Sequence, residues 1–132
     1  MKNTLLVIAA ILLTNISYGQ QKWEYSELHI ESLYIDLETE SVGISYIDCK
    51  RQYLASEEDK GTALFKIAEQ MKKSLRYEHK MTRSEGNVPR FLSDLSDEGF
   101  HLVNTHNYSV TKDIHRLMTH QFFYFRRAVK KN

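Results

Sequence analysis

Apolar and polar residues alternate along residues 23–30, and this period of two is typical of a β-strand. The alternation changes phase near residues 31–32, which indicates either a bulge or a break between two strands. The turn-prone residues 38–41 separate this segment from a second alternating segment, residues 42–49. The two segments predict an antiparallel hairpin, with residues 53–54 still extended or leaving the sheet.

The hydrophobic period changes to that of a helix in the next part of the chain. Ser56 stands three residues before Asp59, a loose form of the capping box that predicts the start of a helix. The helix is then predicted from one apolar stripe, which consists of Leu64, Ile67, Ala68, Met71 and Leu75. Its lysine-rich opposite face is interpreted as an ordinary solvated face, and the polar residues 77–87 predict a loop.

A second, shorter helix and its C-terminal end follow this polar loop. Leu92 and Leu95 share an apolar face, and Pro89 fits the first turn, where its missing N–H loses no hydrogen bond. Gly99 can adopt the left-handed conformation that ends a helix, and Phe100 then packs back on Leu95 in a Schellman motif. We expect Gly99→Ala to destabilise the protein by about 1 kcal/mol or more.

The rest of the chain predicts the other half of a sheet. Residues 100–103 alternate as a third strand, and residues 120–129, with four consecutive aromatic residues, predict the last strand. Between them, residues 104–119 predict either a hairpin that extends the sheet or a short helix near residues 114–118. The predicted order is β-β-α-α-β-β. The predicted fold is α+β, an antiparallel four-stranded sheet with two helices packed on one face.

Residues 1–19 have the features of a bacterial signal peptide. A lysine precedes the apolar residues 5–13, and Ser17 and Gly19 are small residues at the expected cleavage site. The apolar run is shorter than the roughly 20 residues that a membrane-spanning helix needs. We therefore expect residues 20–132 to form a single domain, with no membrane span after leader cleavage, that is periplasmic or secreted.

Charge and cysteine content narrow the range of functions. The chain has 18 Lys+Arg and 17 Asp+Glu, and removal of Lys2 with the leader makes these numbers equal. A near-neutral domain argues against a nucleic-acid binder and against a membrane-surface protein. Cys49 is the only cysteine, so no disulfide can form within the chain. We expect Cys49 to be buried, with pairing between two chains as the alternative.

Three short segments of the chain form a pattern. They are the opening Trp23-Glu24-Tyr25, the helix-to-strand residues Leu92, Leu95, Glu98, Gly99, Phe100, Leu102 and Val103, and the terminal Phe123-Tyr124-Phe125-Arg126-Arg127. Together they resemble a small bacterial α+β family of unknown function. The chain departs from that pattern at Ser96, Phe100 and His101, where the family has glycine, tryptophan and glutamate. The resemblance implies a fold and no activity.

Histidines are the candidates for metal chemistry. His101 and His106 flank the predicted third strand and His120 begins the fourth, so one hypothesis is a metal site built from these three. No pair has the tight local spacing of common metal motifs, and scattered surface histidines are the competing interpretation. The sequence also has no Gly-x-Ser-x-Gly elbow, P-loop or dinucleotide fingerprint. An enzyme is therefore less expected than a binding protein, and no cofactor is predicted.

The aromatic residues give the remaining indication of function. Trp23, Tyr25 and Tyr124 either belong to the core or share an open sheet face, where they would form an apolar patch for a protein partner or a homodimer. His101, on the outward parity of the third strand, is the other binding candidate. The sequence favours an exported, non-catalytic interaction or ligand-binding domain. The alternative is a small periplasmic enzyme or metal-binding protein.

Overall fold

The computed structural model describes residues 21–48, 51–75 and 86–130. Within them the chain forms β1 (Trp23–Ile35), β2 (Glu38–Ile47), β3 (Gln52–Glu57), α1 (Lys60–Leu75), α2 (Val88–Asp97), β4 (His101–Thr111) and β5 (Arg116–Ala128). The predicted leader, Cys49 and nearly all of the predicted loop at residues 77–87 lie outside the described residues.

The sheet is antiparallel and has five strands in the order β3-β2-β1-β5-β4, so the predicted four-stranded sheet is wrong. The missed strand is β3, which pairs with β2 from Glu57 opposite Val42 to Gln52 opposite Ile47. The sequence pattern conceals β3, because Tyr53 is the only fully buried residue among its six. The mixture of helices and antiparallel strands remains that of an α+β fold.

A two-residue turn, Asp36 and Leu37, joins β1 to β2, and the predicted turn residues 38–41 belong to β2. Both turn residues have positive φ, 50° and 69°, as a type I′ turn requires. The change of phase in the sequence corresponds to a bulge, because the register with β2 shifts between Leu33 and Tyr34. β1 is otherwise continuous, so the alternative of two separate strands is wrong.

α1 begins about one turn later than the sequence pattern predicts. Asp59 caps the helix, since its Oδ1 accepts a hydrogen bond from the N–H of Thr62 at 2.8 Å. Ser56, the predicted cap, belongs to β3. The predicted apolar stripe is confirmed for four residues that are at most 2% exposed: Leu64, Ile67, Ala68 and Met71. The side chain of Leu75 lies outside the described part of the structure.

α2 ends as the sequence predicts. Asn87 caps its start, accepting a backbone hydrogen bond at 2.9 Å. At the other end Gly99 has a φ of 89°, and the N–H of Phe100 donates to the carbonyl of Leu95 at 3.0 Å. The N–H of Gly99 donates to the carbonyl of Ser96 at 2.9 Å. Leu95 and Phe100 are buried in the same hydrophobic core, as the hydrophobic contact of a Schellman motif requires.

The hairpin alternative is correct for residues 104–119, since β4 continues to Thr111 and β5 begins at Arg116. Asp113 organises the connecting turn. Its carboxylate accepts hydrogen bonds from the backbone N–H groups of His115 and Arg116, each at 2.9 Å. The hydrogen bond from the His115 N–H, followed by one that the Arg116 guanidinium donates at 2.7 Å, holds the pKa of Asp113 below its usual range.

The hydrophobic core lies between one face of the sheet and the two helices. Its buried residues are Leu28, Ile30, Val42, Ile44, Tyr46, Tyr53, Ala63, Leu64, Ile67, Ala68, Met71, Phe91, Leu95, Phe100 and Phe125. We call the other side of the sheet the open face, because no helix of the described residues covers it. No helix in the described ranges is long and apolar enough to cross a membrane.

Candidate functional site

The open face of three neighbouring strands, β1, β5 and β4, carries a row of planar side chains. The register places His29 opposite Phe122, and Phe122 opposite His106. The next pair on the same face of β4 and β5 is Tyr108 opposite His120. We call this set the open-face ladder, and it consists of His29, His106, Tyr108, His120, Phe122 and Tyr124.

The rings of the open-face ladder are nearly parallel except for that of His106, which is inclined by 37° to Phe122 and by 44° to Tyr108. His29 stacks on Phe122 with centroids 4.2 Å apart and planes inclined by 3°. Tyr108 stacks on His120 at 4.5 Å and 18°, and Phe122 lies 6.3 Å from Tyr124 at 7°. Each close ring pair contributes about 0.5–1.5 kcal/mol beyond its area burial. The stacking therefore holds the two imidazoles of His29 and His120 in fixed orientations.

Two histidines of the ladder converge with a carboxylate. His29 and Glu31 are two residues apart on β1, so their side chains point to the same face. Glu31 lies opposite His120 on β5. The Nε2 atom of His29 is 3.0 Å from Nδ1 of His120, which is 3.6 Å from Oε2 of Glu31. The three potential ligand atoms lie within 4.8 Å of one another, and no other such trio occurs in the described ranges. We call these residues the His–Glu–His triad.

The His–Glu–His triad is partly buried. The side chain of His120 is 12% exposed and that of Glu31 is 43% exposed. Burial lowers the pKa of His29, and the charge of a protonated His120 would lower it further, while Glu31 and Glu27 oppose both effects. His29 therefore favours the neutral imidazole near neutral pH, the form in which one ring nitrogen can accept a hydrogen bond or bind a metal.

The predicted binding residues Trp23, Tyr25 and Tyr124 lie together on the open face, outside the hydrophobic core. They line one shallow depression with Glu27, and Tyr25 is 60% exposed. The guanidinium carbon of Arg126 lies 4.2 Å from the centre of the Trp23 ring, a cation–π contact. The depression adjoins the open-face ladder at Tyr124.

The three predicted metal ligands do not come together as a set. His120 belongs to the His–Glu–His triad, whereas His106 lies opposite Phe122 and His101 lies opposite Arg126. Within the described residues, neither His101 nor His106 joins a trio of potential metal ligands.

Sequence reasoning missed His29 and Glu31 as candidate site residues. One signal was present, because a histidine and a glutamate two residues apart on a strand point to the same face. Their third partner, His120, is 91 residues from His29 in sequence. Only the pairing of β1 with β5 brings these residues together.

A shallow groove runs beside the triad on the open face. His29 and Glu31 form one side, Leu54 lies on the other, and Gly43 and Ser45 of β2 lie between them. A Cβ atom added at Gly43 would meet nothing within 4 Å, so the floor of the groove is open. A small molecule or an ion can therefore reach the triad from this side.

The two edges of the sheet differ. β4 has 11 residues, each of them exposed, and its sequence contains no Lys, Arg, Asp, Glu or Pro. Its register with β5 shifts only between Leu102 and Asn104. β3 has six residues, and the amide of Gln70 in α1 donates to the Leu54 carbonyl at 2.9 Å. Short length and a side-chain hydrogen bond protect the β3 edge, whereas the β4 edge is open to another strand.

Neither a family model nor a curated protein matches this chain. The resemblance to a small bacterial α+β family of unknown function stays a prediction. The candidate sites are therefore defined by their geometry and chemistry.

Proposed function

We propose that the protein is a small exported, non-catalytic interaction domain that pairs with a second copy of itself through the β4 edge. The observation that carries this proposal is the exposure of all 11 residues of β4, together with its lack of charged residues and proline. A strand that is paired on one side only presents a row of N–H and C=O groups that another strand can satisfy. Export is proposed from the signal-peptide pattern of residues 1–19.

The chemistry of β4 suits pairing with an identical strand. Residues 104–111, which follow the register shift, form the regular part of this edge. Two copies of this segment can lie antiparallel without like-charge repulsion, because it has no formally charged residue. Exposed apolar side chains would also lose contact with water, in particular Tyr108 at 44% and Val110 at 39% exposure.

Symmetry extends the open face in such a dimer. A twofold axis perpendicular to the sheet would join two antiparallel β4 strands and keep both open faces on the same side. The five strands of each copy would then form one continuous sheet. Because the open-face ladder reaches β4 through His106 and Tyr108, the ladders of the two copies would meet at the interface.

Sedimentation equilibrium of the purified protein tests this proposal. We expect a monomer–dimer equilibrium with a dissociation constant between about 1 and 100 µM, which corresponds to an association free energy of roughly −8 to −5.5 kcal/mol. The protein is therefore measured across this concentration range. The double substitution Asn107→Lys and Ser109→Lys should shift the protein to monomer, because it places like charges opposite each other across the new strand pair. Both positions alternate with the ladder residues of β4, so the ladder remains intact.

Leu54→Lys is the matched control, since it adds a lysine to the opposite edge strand at a residue that is 60% exposed. This variant should dimerise like the wild type, and circular dichroism should show all variants to be folded. The proposal fails if the wild type is monomeric throughout the concentration range. It also fails if the folded double-lysine variant associates as strongly as the wild type.

A further inference from the structure

We propose that the His–Glu–His triad binds one divalent transition-metal ion, for which zinc is the reference. The donors are Nε2 of His29, Nδ1 of His120 and Oε2 of Glu31. Two imidazole nitrogens and one carboxylate oxygen are a ligand set that zinc, copper, nickel and ferrous iron accept. Calcium and magnesium prefer oxygen ligands alone, so the donor set selects against them.

The spacing of the donor atoms fits a shared ion. Metal–ligand distances of about 2.0–2.1 Å with tetrahedral angles place two ligand atoms roughly 3.3 Å apart. The observed separations from His120 Nδ1 are 3.0 Å to His29 Nε2 and 3.6 Å to Glu31 Oε2, one on each side of this value. All three donor atoms lie within 4.8 Å of one another, and rotation of the Glu31 side chain, which is 43% exposed, can bring its carboxylate to an ion held by the two imidazoles.

The two imidazoles of the triad are held in place before any ion binds. His29 is stacked on Phe122 and His120 on Tyr108, so neither imidazole can turn away without losing a ring contact. Both donor-bearing strands, β1 and β5, lie inside the sheet, with a paired strand on either side. Rigid elements and packed rings supply the support that precise metal sites require.

A hydrogen bond alone explains this arrangement less well. The Nδ1 atom of His120 faces both an imidazole nitrogen and a carboxylate oxygen. If Nδ1 of His120 carries a proton, that proton can be directed at only one of these two neighbours. If Nε2 of His29 carries the proton instead and donates it to Nδ1, the Glu31 carboxylate faces a nitrogen that has no proton to offer. A divalent cation between the three atoms interacts favourably with all of them.

Three protein ligands leave a coordination position for water or for a ligand from solution. The groove over Gly43 and Ser45 gives access to the triad beside His29 and Glu31. The site consists of residues from one chain, so it does not depend on pairing through β4. The outcome of a metal titration and the outcome of the association experiment are therefore independent.

Isothermal titration of Zn²⁺ into the full protein, prepared without a histidine tag and stripped with a chelator, tests the proposal. We expect one Zn²⁺ per chain and no binding of Mg²⁺ or Ca²⁺. His29→Gln, Glu31→Gln and His120→Gln should each weaken Zn²⁺ binding at least about tenfold, since even loss of a group that only supports a ligand costs 10–100-fold.

His106→Gln is the matched control, because His106 lies on the same face beside Phe122 and outside the triad. It should bind Zn²⁺ like the wild type, and circular dichroism should show every variant to be folded. The proposal is overturned if the wild type binds no stoichiometric Zn²⁺. It is also overturned if folded triad variants keep wild-type affinity, or if His106→Gln loses affinity as they do.

Discussion

Tyr46 carries a hydroxyl group into the hydrophobic core, and its removal should change the response of the protein to alkaline pH. The residue is 1% exposed, and its ring packs edge-on against Phe91 with centroids 6.0 Å apart. Its hydroxyl lies near that of Ser26, but neither buried oxygen has a hydrogen-bond partner of good geometry among the described residues. Burial raises the pKa of Tyr46 to about 12, with a weaker opposing effect from Ser26.

The raised pKa makes folding less favourable at high pH. The unfolded chain releases the Tyr46 proton near pH 10, whereas the folded chain keeps it until about pH 12. The stability linked to this group is complete below pH 10 and is lost as pH rises towards 12. The contribution lost by pH 11 is about 1.4 kcal/mol, since each unit of pKa difference corresponds to about 1.36 kcal/mol.

Urea denaturation at pH 8 and pH 11 measures this contribution as a difference between variants. Between these pH values, the fall in the free energy of unfolding should be about 1.4 kcal/mol smaller for Tyr46→Phe than for the wild type. At pH 8 it should be as stable as the wild type or more stable by up to about 1 kcal/mol, because a buried hydroxyl without a partner is unfavourable. Tyr25→Phe removes a tyrosine that is 60% exposed and controls for tyrosine loss in general. Equal alkaline losses of stability in the wild type and Tyr46→Phe would show that ionisation of Tyr46 does not destabilise the folded protein at high pH.

Two further predictions concern residues with positive φ. Leu37→Gly should raise the free energy of unfolding, measured by urea denaturation, by about 0.5–1 kcal/mol, because Leu37 has a φ of 69° that glycine adopts without strain. The Leu37 side chain is 90% exposed, so its removal costs little packing. Leu37→Ala is its control and should give no comparable gain. Gly99→Ala should lower the unfolding free energy by about 1 kcal/mol or more, because alanine is strained at a φ of 89°. A steric clash does not add to this loss, since the new Cβ would lie at an ordinary contact distance of 3.5 Å from Arg127. A loss below about 0.5 kcal/mol would show that the Schellman motif tolerates alanine.

The sequence was sufficient for features whose interacting residues are close together in the chain. The end of α2 was predicted because Leu95, Gly99 and Phe100 are close together in the sequence. The buried stripe of α1 was predicted for the same reason, since helical periodicity is a property of neighbouring residues. β3 was missed because its six residues carry a weak alternation that precedes a stronger helix signal.

Tertiary structure alone decided which residues form the candidate sites. His29 and His120 are 91 residues apart, and the register of β1 with β5 brings them into contact. The exposure of β4 likewise depends on which strand lies outermost and on which strands the helices cover. Local patterns determined the type of β1, β2 and the two helices and the C-terminal end of α2, because periodicity and caps involve short-range contacts. Strand order and register determined the triad and the open edge, because those depend on pairings between distant parts of the chain.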